Sequence, residues 1–373
     1  PRSTLFPYTT LFRSSRKTID QAKRFLLAVQ NDDGGFPYRQ NGMSTGSMTC
    51  AGLACLYICE AILMEDAPCC TKPDSQARID LALDWLGKGK IENNRNTNAH
   101  TFYYLYALER VAEYGGVSRI GRQDWYRIGA AFLVGSQRRD GTWGSTEYEH
   151  SFALLFMGKG AKPVAVAKLE IRKDVPITPH DAKNLVEYAS KELDTPMSFL
   201  NVLPDDPFEV MARAPLLYMP GDADFPHDPA FRGRIRRVLS NGGTILAVPC
   251  CGGASFDDGI RAAFQERFGE TAEFIPLQAD HPVYNSPFPI PEENRCLEGV
   301  VVECRWAAFL SRASINYGWT GCSPPLFRDD RRANRTAKTP SDRICLQLGV
   351  NLIAYAVGYH RLMDKLEEIV DED

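Results

Sequence analysis

The sequence predicts two domains of different class: paired α-helices in the first half, and an α/β fold built on a doubly wound parallel sheet in the second. Three observations carry this reading. The pattern Gln-x-x-Asp-Gly-x-aromatic occurs at Gln30–Phe36 and again at Gln137–Trp143, each time with an aromatic-Leu pair (Phe25-Leu26, Phe132-Leu133) starting five residues before the Gln. A helix end, a turn and an aromatic that recur together mark an internal repeat. Amphipathic and almost wholly apolar helical patterns alternate up to Met157, as outer and buried inner helices do. Beyond residue 163 short apolar runs alternate with helical patterns, among them the continuous run Thr244–Val248, the signature of a strand covered on both faces.

Taken in order, Thr18–Gln30 lines up Ile19, Ala22, Leu26 and Val29 on one stripe, widened by Phe25 and Leu27, and Gly34-Gly35 stops it. Ser47–Met64 is apolar nearly all round, with the small residues Ala51, Gly52 and Ala54 on one side, which predicts an inner helix behind an outer one. Ser75–Gly87 and Ala99–Tyr114 repeat the pair, with Trp85-Leu86 standing where Phe25-Leu26 stood and Lys90 in place of the Gln. Gln123–Gln137 and Glu147–Met157 make the third pair.

In the second half, Val164–Leu169, Met197–Leu203, Ala214–Met219, Thr244–Val248 and Glu273–Leu277 read as strands, and Gly299–Phe309 with Leu310–Ile315 as strands or a hairpin. His180–Glu192, Asp228–Ser240, Phe256–Phe268 and Ser341–Leu366 read as helices. Open α/β sheets bind ligands beyond the carboxyl ends of their strands, which singles out two turns, Tyr218–Asp222 and Pro249–Phe256. The second runs straight from a buried strand into a helix, where small neighbours let one side chain project, and a thiol facing a helix N-terminus is favoured as thiolate. Cys251, immediately before Gly252-Gly253, is the first candidate nucleophile and Cys250 the second. His281 follows a strand and is the candidate base, oriented by Asp280 or Glu303. The competing reading makes the Cys a small residue that fits a crowded turn. Gly221, Asp222, Gly252, Gly253, Ser255 and Tyr284 then surround a small polar or anionic ligand.

The repeated turn resembles that of squalene cyclases and protein prenyltransferase β subunits, over about residues 18–160. The resemblance implies a partial α/α toroid, because the closed ring of that family takes more than three helix pairs, and a hydrophobic ligand or protein partner for this half. Stacked repeats cover one another's flanks, so three pairs are expected to expose one. Pro1–Ser14 (PRSTLFPYTTLFRS) shows no period and resembles a translated sequencing adaptor. It is read as a non-native segment, with 15–162 as the repeat domain, 163–373 as the α/β domain, and further repeats expected upstream. The family's acid motif is not matched: Asp32-Asp33 lies in the repeat turn, where Asp accepts backbone N–H groups. His100 and His150 begin inner helices without an Asp-x-Cys partner, so no metal is assigned, and Phe102, Tyr103, Tyr104 and Tyr106 are read as core.

Residues 164 to 360 resemble a bacterial domain family related to the class I glutamine amidotransferase-like fold, whose members are often joined to toroid-type repeats. The resemblance rests on Pro215-x-Leu217-Tyr218, Gly242-Gly243-Thr244, Cys250-Cys251-Gly252, Asp280–Tyr284 and Gly349–Leu352. It implies a flavodoxin-like sheet. The Gly-x-Cys-x-Gly of true amidotransferases is replaced by Pro249–Gly253, and the Glu two residues after their His by Val283.

A net charge of −4 argues against general nucleic-acid binding, and no window approaches the ~20 uninterrupted apolar residues of a membrane span. Eleven Cys, an odd number without paired Cys-x-x-Cys motifs, favour free thiols over a disulfide framework or zinc site. No cofactor and no compartment is assigned. The leading expectation is a two-domain ligand-binding or scaffolding protein with a small-ligand site at the strand ends. A Cys-dependent hydrolase or amidotransferase-like enzyme, using Cys251, His281 and turn amides as an oxyanion hole, is the alternative. A terpene cyclase or prenyltransferase-like activity comes third.

Overall fold

A computed structural model of the chain describes residues 15–64, 73–97, 99–117, 119–158, 162–171, 180–221, 225–226, 228–249, 254–268, 273–302, 305–320 and 341–371. The chain divides into two compact units, a helical one ending at residue 159 and an α/β one from residue 160. The adaptor-like segment 1–14 lies outside the described residues.

The helical unit holds α1 (Arg16–Val29), α2 (Gly46–Leu63), α3 (Gln76–Gly87), α4 (Thr101–Gly115), the two-residue strands β1 (Arg119–Ile120) and β2 (Gln123–Asp124), α5 (Trp125–Ser136) and α6 (Glu147–Gly158). These are three helix pairs at the expected places; the β1–β2 hairpin, turned at Gly121 with φ +61°, was not expected. The helices α2, α4 and α6 pack in succession; α1 and α3 pack on α2, and α5 on α4 and α6. By length and composition α2 could cross a bilayer, yet 56% of it is buried in the unit, where it packs on α1, α3 and α4.

The repeated turn recurs bond for bond. The Gln30 side chain donates through Nε2 to the Gly34 carbonyl, as Gln137 does to that of Gly141. Asn31 N bonds Gly35 O as Arg138 N bonds Thr142 O. Asp33 accepts from Gly35 N at 2.9 Å, and Asp140 from Thr142 N at 3.0 Å. Gly34 and Gly141 take φ +91° and +83°, a conformation that favours glycine. The closing aromatic then enters the core: the Phe36 ring lies on Gly52 of α2, where a Cβ would meet it at 2.5 Å, and Trp143 is buried with its indole donating to Leu133 O at 2.7 Å. Asp33 also accepts from the Trp85 indole at 2.8 Å, tying this turn to the next pair.

The α/β unit runs β3 (Val164–Leu169), α7 (Asp181–Glu192), β4 (Ser198–Val202), α8 (Phe208–Met211), β5 (Leu216–Gly221), α9 (Pro229–Ser240), β6 (Thr244–Pro249), α10 (Ala254–Phe268), β7 (Ile275–Pro276), α11 (Pro282–Asn285), β8 (Leu297–Val302), β9 (Arg305–Ser311), α12 (Tyr317–Thr320) and α13 (Asp342–Asp371). The seven-stranded sheet has the order β4-β3-β5-β6-β9-β8-β7. Its first five strands are parallel; β8 pairs antiparallel with β9 on one side and with β7 on the other. Alternate residues of each central strand enter two cores, Leu216, Tyr218, Leu246 and Val248 with α7 and α13, and Leu217, Met219, Ile245 and Ala247 with α9 and α10. Both faces are therefore covered, which is why these strands read as continuous apolar runs.

The structure departs from expectation at one edge. The sheet is not wholly parallel, and the break between its last two strands falls at 303–304 rather than between Phe309 and Leu310. Strands separated by two residues can only pair antiparallel. Leu310 continues β9, and Ala313–Ile315 is a turn.

Candidate functional site

Numbered among themselves, the five parallel strands run 2-1-3-4-5. The chain leaves β3 toward β4 and then returns to the other side of β3 as β5, so the connections diverge between β3 and β5. A crevice opens at such a reversal, and ligands of open α/β sheets bind there. Lys168 of β3 and Tyr218 of β5 are register partners across it, with Asn201 of β4 next in the same row.

These side chains meet on the first residue of α7. Lys168 Nζ donates to Asp181 Oδ1 at 2.6 Å and the Tyr218 hydroxyl donates to Asp181 Oδ2 at 2.6 Å. Asp181 and Tyr218 are wholly buried and Lys168 nearly so. A charged pair taken from water needs such additional hydrogen bonds to be tolerated. Around it, Asn201 Nδ2 donates to Glu170 at 3.0 Å, and burial, opposed by Lys168, raises the Glu170 carboxyl above the ordinary carboxylate range. His180 is half-buried, and burial, reinforced by Lys183 and Lys168 and opposed by Asp181, pushes it down to about 4. Near neutrality it is an uncharged imidazole. The Trp319 ring meets Tyr218 edge-on at 5.2 Å.

The segment before α12 closes over the same ends. Ser314 Oγ donates to Pro249 O, the last residue of β6, at 2.9 Å, and Trp319 N donates to Asn316 O at 3.1 Å. Asn316 is 0% exposed, and among the described residues neither its side-chain oxygen nor its nitrogen has a hydrogen-bond partner. Each such group carries a desolvation cost of about 1–3 kcal/mol, and a buried orphan of this kind calls for an explanation.

Of the residues singled out from the sequence, Asp222, Cys250, Cys251, Gly252 and Gly253 lie outside the described residues, as does Glu303. Gly221 ends β5, buried against the Phe256 ring, which leaves no space for a Cβ. Ser255 is exposed on the first turn of α10, and Asp280 is exposed. Tyr284 is buried and clamps β8, its hydroxyl accepting from Leu297 N at 2.8 Å and donating to Leu297 O at 3.2 Å; burial lifts its phenol to about 12.

His281 caps α11, its Nδ1 accepting from Val283 N at 3.2 Å. It is 6% exposed, among the rings of Trp306, Phe309 and Tyr355 at 5.5–5.8 Å, and among the described residues its Nε2 has no partner. Burial lowers its pKa, opposed by Asp280. Phe309 is in register with Leu246, three residues short of the end of β6, about 10 Å at a strand's rise. His281 therefore stands over the middle of the sheet.

In the helical unit His100 precedes α4 with φ +60° and His150 stacks on Trp143 at 5.6 Å. Among the described residues no cluster of His, Cys, Asp or Glu could hold a metal, and Cys50, Cys55, Cys59, Cys296 and Cys345 are free thiols.

The Lys168–Asp181–Tyr218 cluster was not singled out from the sequence. One signal was available, a lone Lys inside the apolar run Val164–Leu169, since buried Lys is rare unless paired. Asp181 fell within the predicted helix His180–Glu192 with no further role, and Asn316 carried no signal.

The model of a protein family described as Domain of unknown function (DUF4159) matches residues 165–357, more than half of the 373 residues. A curated relative, a Drimenyl diphosphate synthase from Streptomyces showdoensis, is 28% identical over 161 residues, which cover 39% of this chain and 28% of the relative. The chain thus spans little more than a quarter of that relative's length.

Proposed function

The chain belongs to the DUF4159 family, and we propose that its α/β unit is a binding module for a small polar or anionic ligand, held beyond the carboxyl ends of β3, β5 and β6. The strand order supports a flavodoxin-like sheet of the class I glutamine amidotransferase-like kind, with the ligand at the reversal between β3 and β5. Asn316 carries the reading: it is a buried amide with one donor group and one acceptor left over, which a ligand would satisfy. The charged cluster on Asp181 sets the local field. In this reading His281 supports the sheet. The Cys-dependent hydrolase reading, with Cys251 as nucleophile and His281 as base, has less support, because His281 is buried among aromatic rings.

Thermal-shift titration of the full chain with a panel of small carboxylates, phosphates and primary amides tests this. A ligand at 100 times its Kd stabilises by about 2.7 kcal/mol, a shift of several degrees, and the shift should vanish in Asn316→Ala. A panel without effect, or a shift that survives in Asn316→Ala, would refute the assignment.

A second reading concerns residues 15–162 as a repeat domain of the partial-toroid type. The Drimenyl diphosphate synthase relative favours an apolar or terpenoid ligand there. So does the aromatic group on α4 and α6, where Phe152 lies 5.1–6.5 Å from Tyr103, Tyr106 and Tyr148.

A further inference from the structure

We propose that the helical unit carries an anion site of its own, a cavity of about 660 Å³ beside the α3–α4 loop, and that it takes a phosphate ester with an apolar body. This goes beyond the α/β site and uses none of its residues. Lys88, Lys90 and Arg95 line the cavity with a single carboxylate, Glu92. Among the described residues none of the three cations forms an ion pair. In a chain of net charge −4, three cations line one cavity; Arg95 also feels the Asp33 carboxylate, and an anion relieves the repulsion that remains.

One of the cations, Arg95, is held in place. The Arg95 guanidinium lies 4.2 Å over the Trp85 ring and donates through Nη1 to Trp85 O at 2.6 Å, its one side-chain hydrogen bond among the described residues. The loop is fastened at both ends. Gly46 N bonds Arg95 O at 2.9 Å, Asn94 accepts from Ser47 N and donates to Ala99 O, and Gln123 bonds Gly89 O and Ile91 N. A positioned guanidinium binds a phosphate at little entropic cost.

The ligand's chemistry follows from charge and shape. Three cations against one carboxylate leave two positive charges, and a phosphate monoester near pH 7 carries about −1.5 to −2. The volume exceeds that of bare phosphate and falls in the ordinary range of small-molecule pockets. Phe132 supplies an apolar wall for the organic part.

Calorimetric titration of the full chain with phenyl phosphate, inorganic phosphate and phenol tests the site. Phenyl phosphate should bind with a Kd below about 1 mM, more tightly than inorganic phosphate, and phenol should not bind. Affinity should fall as salt rises. Lys88→Gln/Lys90→Gln alters two exposed side chains and should raise the Kd about tenfold, with an unchanged circular dichroism spectrum. Absence of saturable phenyl phosphate binding, an unchanged Kd in the double variant, or equal binding of phenol would overturn the proposal.

Discussion

Asn351 should be among the costliest polar positions to change in the α/β unit, because one wholly buried side chain holds a distant loop by three hydrogen bonds. Its Nδ2 donates to Val283 O at 2.8 Å and to Phe288 O at 2.7 Å, and its Oδ1 accepts from Phe288 N at 2.9 Å. Each buried hydrogen bond contributes about 1 kcal/mol net, and each partner left unsatisfied costs about 1–3 kcal/mol. Asn351→Ala is therefore expected to destabilise the unit by about 3–5 kcal/mol. For a domain of this size each kcal/mol moves Tm by roughly 2–4 °C, so the shift should be of order 10 °C. Asn351→Asp separates hydrogen bonding from packing. The shape is kept, but a carboxylate oxygen would face the carbonyls of Val283 and Phe288. Its loss at pH 7 should match or exceed that of Ala, and should shrink in acid, where a protonated carboxyl regains one donor. Urea unfolding followed by circular dichroism at pH 7 and at low pH reads both variants. Asn351→Asp within about 1 kcal/mol of the parent at pH 7 would refute the reasoning.

The two repeat turns should differ in consequence. Asp33→Ala removes bonds to Gly35, Ser44 and the Trp85 indole and should cost about 2–3 kcal/mol, whereas exposed Asp140, bonded only to Thr142, should cost much less; equal losses by thermal denaturation would contradict the role of the Trp85 tie. His180 should make stability pH-dependent. Its folded pKa of about 4 lies below the ordinary 6.5, so the unfolded chain takes the proton first. The contribution is complete above pH 6.5 and is lost as pH falls through 4. His180→Gln should flatten the fall in urea midpoint across that window, leaving the slope that His281, also depressed, retains; an unchanged slope would remove His180 as a cause.

Much of the helical unit was legible in the sequence because its determinants are local. The turn is closed by Gln30 on Gly34 and Gln137 on Gly141, four residues apart, so the pattern of residue types already contains the contact. The same holds for the strand runs, whose continuous apolarity reports burial on both faces. The edge hairpin was misplaced because the apolar residues of Val300–Val302 and Trp306–Leu310 read as one run, although Glu303 and Arg305 interrupt it where one strand ends and the next begins.

By itself the sequence determined the order of helix pairs, the repeated turn, and the change from helical to α/β structure near residue 160. It also directed attention to the turns after β5 and β6, since strand ends carry sites in this class of fold. Only the tertiary structure decided that β3 lies between β4 and β5, that Lys168 and Tyr218 become neighbours across the reversal, and that both bond to Asp181. It likewise decided that Asn351 reaches a loop more than sixty residues away and that the buried Asn316 side chain has no partner among the described residues. The physical reason is one of range. A turn or helix is stabilised by bonds between residues a few positions apart, and their types can be read along the chain. The value of a buried polar side chain depends on which strand stands beside it, and that follows from the packing of the whole sheet.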